Sequence, residues 1–165
     1  MTGHRIYARH SAVETADRLD ITLIKRCVRA ALSSECVDLP CEVSVLITND
    51  RAIREINREY RGVDAPTDVL SFPMQELRCP GWNGVDTGSA DPESGLIPLG
   101  EIVLSADRVA KQARLYGRTV EYETAYLTVH SVLHLLGYDH IDEAEDKKIM
   151  RKQEKLAMKD LVNTL

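Results

Sequence analysis

Apolar and polar positions alternate along this chain with two periods, and the switch between them marks its elements. Arg5–His10 reads as a short first strand, and residues 21–32 follow with helical periodicity and a basic face at Lys25, Arg26 and Arg29. Val43, Val45, Leu46 and Ile47 make Cys41–Thr48 a buried strand. Asn49 and Asp50 then supply N-cap chemistry for a helix running to about Tyr60. Residues 69–72 and 101–104 read as two more strands, and 106–116 and 120–136 as helices parted by Gly117. A last helix opens at Asp142, with Glu145 three residues on, and closes with Lys155 and Lys159, charges that suit its dipole. The order predicts an α+β fold, one domain over 1–165, with a mixed sheet of about four strands and about five helices. Between them, residues 73–99 form a long loop rich in Gly, Pro, Asp and Ser that carries Trp82. Such a loop is a lid, a binding loop, a disordered segment or an insertion without a role.

A chain of 165 residues suffices for one core burying about two-thirds of its unfolded surface. With 44% hydrophobic and 28% charged residues, global disorder is excluded. No apolar run approaches the roughly 20 residues of a membrane span and the N-terminus has no signal core, so a cytoplasmic protein with no membrane partner is expected. Cys27, Cys36, Cys41 and Cys79 include no Cys-x-x-Cys pair, which leaves reduced thiols as the default. The net charge of −5 argues against a protein that coats nucleic acid, although a local basic patch could still serve.

The chemistry concentrates in His130-Ser131-Val132-Leu133-His134-Leu135-Leu136-Gly137-Tyr138-Asp139-His140. At about 100° per residue, positions four apart share a helix face, so His130 and His134 can reach one ion. Gly137 can take the left-handed conformation that ends a helix, bringing His140 back as the third ligand. Three neutral imidazoles with an open fourth position describe a catalytic zinc site on a central helix, although nickel, cobalt or copper also suit imidazole. A lone His flanked by Leu127, Val129, Leu133 and Leu136 would read as a hydrogen-bonded core residue. Three of the five His within eleven residues, at ligand spacing, read instead as a metal site. His4 and His10, near a terminus, read as surface residues.

The metzincin proteases share this spacing but place a Glu base after the first His, where this chain has Ser131. Serine cannot take a proton from water as a carboxylate does, so the protease reading weakens while the ligand set survives. Upstream, Arg51, Arg54, Arg58 and Arg61 share one helix face, with Ile53, Ile56 and Tyr60 opposite. Glu55 can pair with Arg51 and Arg58, so most of that stripe reads as an ion-paired solvent face. Arg61 is the exception. It leaves the helix ahead of Asp64-Ala65-Pro66-Thr67-Asp68, a turn that can aim it at the site.

The His segment, together with Asn57-Arg58-Glu59-Tyr60-Arg61, Pro66-Thr67-Asp68-Val69-Leu70-Ser71-Phe72-Pro73 and Leu99-Gly100-Glu101-Ile102-Val103-Leu104-Ser105, resembles the bacterial YbeY endoribonucleases, or rRNA maturation factors. The resemblance runs from about Val43 to the C-terminus. It implies a zinc-dependent, single-strand-specific endoribonuclease acting in ribosomal RNA maturation and ribosome quality control. It also implies one zinc ion on His130, His134 and His140, with Arg61 as the catalytic and substrate-binding arginine. Its partners would be single-stranded RNA and ribosomal RNA or the ribosome, not DNA. Two departures stand out: Ser131 occupies a position that is usually Gly in the family, and the 73–99 loop is longer than expected. In the mechanism this suggests, Arg61 offsets charge on the phosphodiester, its planar fork spanning two oxygens. Asp68 and Asp139 are candidate acceptors for the ligand imidazoles, with turn or capping roles as the alternative. A metzincin-like protease and a non-catalytic ribosome-associated metal protein stay open beside the nuclease.

Overall fold

The computed structural model describes residues 3–77, 79–139 and 144–165. Strand β1 (Arg5–His10) leads through helix α1 (Ile21–Ser34) to β2 (Cys41–Thr48), and α2 (Asp50–Arg61) leads to β3 (Val69–Pro73). Strand β4 (Ile97–Ser105) is followed by three helices, α3 (Ala106–Leu115), α4 (Val120–Leu135) and α5 (Ala144–Val162). The sheet order is β1-β2-β4-β3; β1, β2 and β4 are parallel and β3 runs antiparallel to β4. Among the described residues this is the expected α+β architecture, with a mixed four-stranded sheet and five α-helices. Asp142, the expected opening of the last helix, and His140 lie outside the described residues.

Alternation decides which face of each strand is buried. Val43, Val45 and Ile47 of β2 join Ile6 of β1 and Ile102 and Leu104 of β4 in the main core, against helices α1, α4 and α5. Each such side chain, fully buried, contributes about 1.5–3 kcal/mol. The opposite face is smaller: Leu46, Leu70, Phe72 and Val103 pack on Ile53 and Ile56 of α2. Helix α2 thus lies across the sheet from α4. Its inner side is closed by Asn57, 5% exposed, rather than by Tyr60, 67% exposed, contrary to the sequence expectation. Asn57 is held inward because its amide donates to the Ala65 carbonyl across the following turn.

Strand β4 begins four residues before the pattern predicts. Pro98 and Gly100 obscure it, and a bulge sets Glu42 opposite Pro98 but Val43 opposite Gly100. The extra residue shifts the period-two pattern, so that Leu99 and Ile102 both face the core. Gly100 has φ +145°, and a Cβ there would collide with the Phe72 carbonyl oxygen. The long loop is thereby shortened to 74–96. It is tied down: Gln75 Nε2 donates to the Pro98 carbonyl, Trp82 Nε1 to Asp38 and the Gly81 amide to the Leu136 carbonyl at the end of α4.

Side-chain caps open four helices: Asp20 accepts from the Leu23 amide, Asn49 from Ala52, Ser105 from Arg108 and Thr119 from Tyr122. His4 and His10 are half-buried and engaged, against the surface expectation. The Cys41 amide donates to His4 Nδ1 at 3.2 Å, and His10 Nε2 lies 3.0 Å from the Leu19 carbonyl oxygen. All four cysteines are free. Among the described residues, no helix is long and apolar enough to cross a membrane.

Candidate metal centre

Helix α4 is buried on nearly every side, and the site sits in its last turns. Val129, Val132, Leu133 and Leu135 are fully buried around His130 and His134, so the backbone that carries the imidazoles is fixed by packing. The helix ends at Gly137, φ +85°, where the Gly137 amide donates to the His134 carbonyl and the Tyr138 amide to that of Leu133. This paired arrangement needs a left-handed residue, as the Gly predicts. A side chain at 137 would also strike Leu77.

His130 and His134 converge. Their Nε2 atoms lie 3.0 Å apart and their rings meet edge to face at 4.5 Å between centroids. On its other side His130 Nδ1 lies 2.6 Å from Glu154 Oε1 of α5, a carboxylate only 6% exposed. The Tyr126 hydroxyl donates to Glu154 Oε2 at 3.1 Å while its ring stacks on His130. Burial first, and then the Glu154 charge, push the Tyr126 hydroxyl up to about 12. Arg118 completes the wall, its guanidinium over the rings of Tyr116, Tyr122 and Tyr126 and donating to Glu123.

The two described imidazoles have the donor chemistry and spacing of a zinc site. A carboxylate at Nδ1 keeps the proton on that nitrogen, and the neutral imidazole then carries its lone pair on Nε2. The 3.0 Å between the two Nε2 atoms is close to the roughly 3.3 Å that tetrahedral zinc imposes with bonds of about 2.0–2.1 Å. Among the described residues no third His, Cys, Asp or Glu completes a ligand group with these two. His140, the expected third, is not among them.

A cavity of about 670 Å³ opens in front of the imidazoles, lined also by Arg61, Asp68, Ser71 and Asp139. Arg61 is the last residue of α2 rather than the first beyond it, with Gly62 in the left-handed conformation ending the helix behind it. Its Nη2 donates to the Ser71 carbonyl of β3 at 2.9 Å, and its guanidinium lies 5.8 Å over the Phe72 ring. Strand β3 is a sheet edge, so that carbonyl is available to hold the arginine. Arg54, by contrast, is locked in a two-point pair with Asp64, and Arg51 lies 3.8 Å from Glu55. Of the stripe, only the Arg51–Glu55 pair is the one the spacing predicts: Arg54 finds its partner beyond the helix, and Arg58 forms no ion pair among the described residues.

Asp68 lines the cavity but is engaged locally, accepting from the Val69 amide at 2.7 Å and from Gln112 at 3.1 Å. The acceptor on His130 is Glu154, which the sequence reading missed. The signal was present: Glu154 falls on the stripe formed by Met150, Ala157, Met158 and Leu161, where a carboxylate must find a partner. At the cavity rim the Tyr138 hydroxyl donates to Glu35 Oε2 at 2.8 Å. Burial raises the Glu35 carboxyl above its usual range, and the Tyr138 hydrogen bond offsets part of that rise. Ser131 is fully buried, and its hydroxyl has no hydrogen-bond partner among the described residues.

Comparison with known proteins identifies the family and the fold. The family model described as Endoribonuclease YbeY matches residues 6–162. A relative named Endoribonuclease YbeY from Lachnoclostridium phytofermentans is 41% identical over 153 residues, covering 88% of this chain and 92% of that one. One of the same name from Clostridium kluyveri is 42% identical, covering 92% and 94%. The solution structure of TM1509 from Thermotoga maritima shares the fold, with a TM-score of 0.55 and 24% identity over 98% of this chain and 93% of that one.

Proposed function

The chain belongs to the Endoribonuclease YbeY family, and from that premise we propose that it is a zinc-dependent endoribonuclease cutting single-stranded RNA, acting in the cytoplasm on ribosomal RNA during maturation and ribosome quality control. One zinc ion is held by His130, His134 and His140. The observation that carries this reading is the convergence of His130 Nε2 and His134 Nε2 at the wall of a cavity that Arg61 also lines.

Zinc in such a site supplies Lewis-acid charge and lowers the pKa of water toward neutrality. The protein's own contribution is positional. Glu154 holds the Nδ1 proton of His130 and so presents Nε2 to the ion. Arg61 spends one N–H on the Ser71 carbonyl, and its remaining donors serve phosphate oxygens whose charge grows as the phosphorus becomes pentavalent. Ser131, buried where a metzincin has its Glu, offers the cavity no base, which disfavours peptide hydrolysis.

Metal analysis of untagged protein, paired with a nuclease assay, tests the proposal. About one transition-metal ion per chain is expected, with chelator-sensitive cleavage of an unstructured strand and little cleavage of a perfect duplex. Metal-free protein that cuts RNA, or equal cleavage of both substrates, overturns it.

A further inference from the structure

The outward face of α5 carries Lys148, Arg151, Lys152, Lys155 and Lys159 around a shallow groove of about 510 Å³. At about 100° per residue these five fall within an arc of about 100°, over a rise of about 16 Å. They lie away from the buried Met150, Glu154, Ala157, Met158 and Leu161. All five are exposed. In a chain whose net charge is −5, this concentration of cations is a local reversal of sign.

Neither ion pairing nor the helix dipole accounts for it. Lys148 meets Glu145 at 3.4 Å, whereas Arg151, Lys152, Lys155 and Lys159 have no acidic partner among the described residues. Their neighbours three and four residues away on this face are one another, an arrangement that destabilises an isolated helix. Dipole compensation explains Lys155 and Lys159 near the C-terminus, but Lys148, Arg151 and Lys152 lie in the N-terminal half, where anions are favoured. A polyanion laid along the face relieves this repulsion.

We propose that this α5 face is a second contact for the RNA substrate, binding the phosphate backbone that flanks the stretch entering the cavity. The inference rests on the endoribonuclease reading for the identity of the polyanion. The position suits it: the same helix points Glu154 inward at His130, so the stripe lies about one helix diameter, roughly 10–12 Å, from the imidazole it supports. A strand of a few nucleotides fills the cavity alone, and a longer RNA engages both.

The test is the full-length triple variant Lys152→Gln, Lys155→Gln, Lys159→Gln, compared with wild type on two probes: a strand of a few nucleotides, and a hairpin with a single-stranded tail. Gln matches Lys in helix propensity, so the melting temperature should hold or rise slightly. Affinity for the tailed hairpin should lose salt dependence, its log–log slope falling by about 2 at about 0.7 per phosphate released. Cleavage of the short strand should be unchanged. An unaltered slope for the hairpin overturns the proposal, as does a variant that loses short-strand cleavage in step with hairpin binding. Loss of binding to anionic phospholipid vesicles with RNA binding intact also overturns it, in favour of a membrane surface. A wild type that cuts neither RNA yet shows the slope change would sink the nuclease reading and leave this contact standing.

Discussion

Helices α4 and α2 both deliver side chains to one cavity, two imidazoles and one guanidinium, and they do so by opposite means. Helix α4 is buried on nearly every side except where the cavity opens, and its imidazoles are set by packing, by an edge-to-face contact and by a buried carboxylate. Helix α2 is half in solvent, and Arg61 is held by one edge-strand carbonyl and one ring. The difference matches the two tasks proposed for these side chains. A metal ligand must be rigid before the ion arrives, because a loose donor set forfeits affinity. An arginine that follows charge developing on a phosphate needs spare donors and a short tether.

If that contrast holds, the largest effects should come from the buried side. His134→Ala should strip most of the metal, and Glu154→Gln should weaken metal affinity by about ten- to a hundredfold with the ligands untouched. Chelator competition on folded protein measures both. A Glu154→Gln variant that melts lower but binds metal as wild type does would make Glu154 a fold residue only.

On the exposed side, Arg61→Ala should cut turnover by about a hundredfold or more while leaving metal content and melting temperature near wild type. Arg61→Lys should recover only part, since an ammonium lacks the two-point fork. Arg54→Ala, which breaks a pair on the same helix, should change turnover and stability little. Full activity in Arg61→Ala, or its loss through unfolding, would end the assignment.

The smallest effect concerns Ser131, which separates packing from chemistry within α4. Its buried hydroxyl lacks a partner among the described residues, so Ser131→Ala should stabilise by about 1 kcal/mol, a rise of roughly 2–4 °C, with cleavage unchanged. A drop in activity would give the hydroxyl a role that its burial conceals.

Local features of the chain were the legible ones. The bounds of β1 and β2 follow from alternation, and the shared face of His130 and His134 from helical spacing, with Gly137 marking where α4 stops. What escaped depends on chain partners far apart. Glu154 is 24 residues from His130, and nothing local says that α5 folds back on α4. The first residues of β4 hid behind Pro98 and Gly100, whose ill fit to a strand is absorbed by the bulge. Asn57 displaced Tyr60 from the core because the turn carbonyl of Ala65 rewards an amide there. The α5 lysines were visible, but without knowing which face is buried their sign reads as dipole compensation alone.

The bond from His130 to Glu154 has a consequence for the C-terminal segment as a whole. In the proposed metal site, α5 supplies the carboxylate that orients a ligand on α4, so seating the helix and filling the site would be linked, each strengthening the other by the same factor. A chain cut before α5 would therefore behave as a lesion of the metal site although every candidate ligand remained. Saturating metal, in turn, would slow hydrogen exchange along a helix that contributes no ligand of its own.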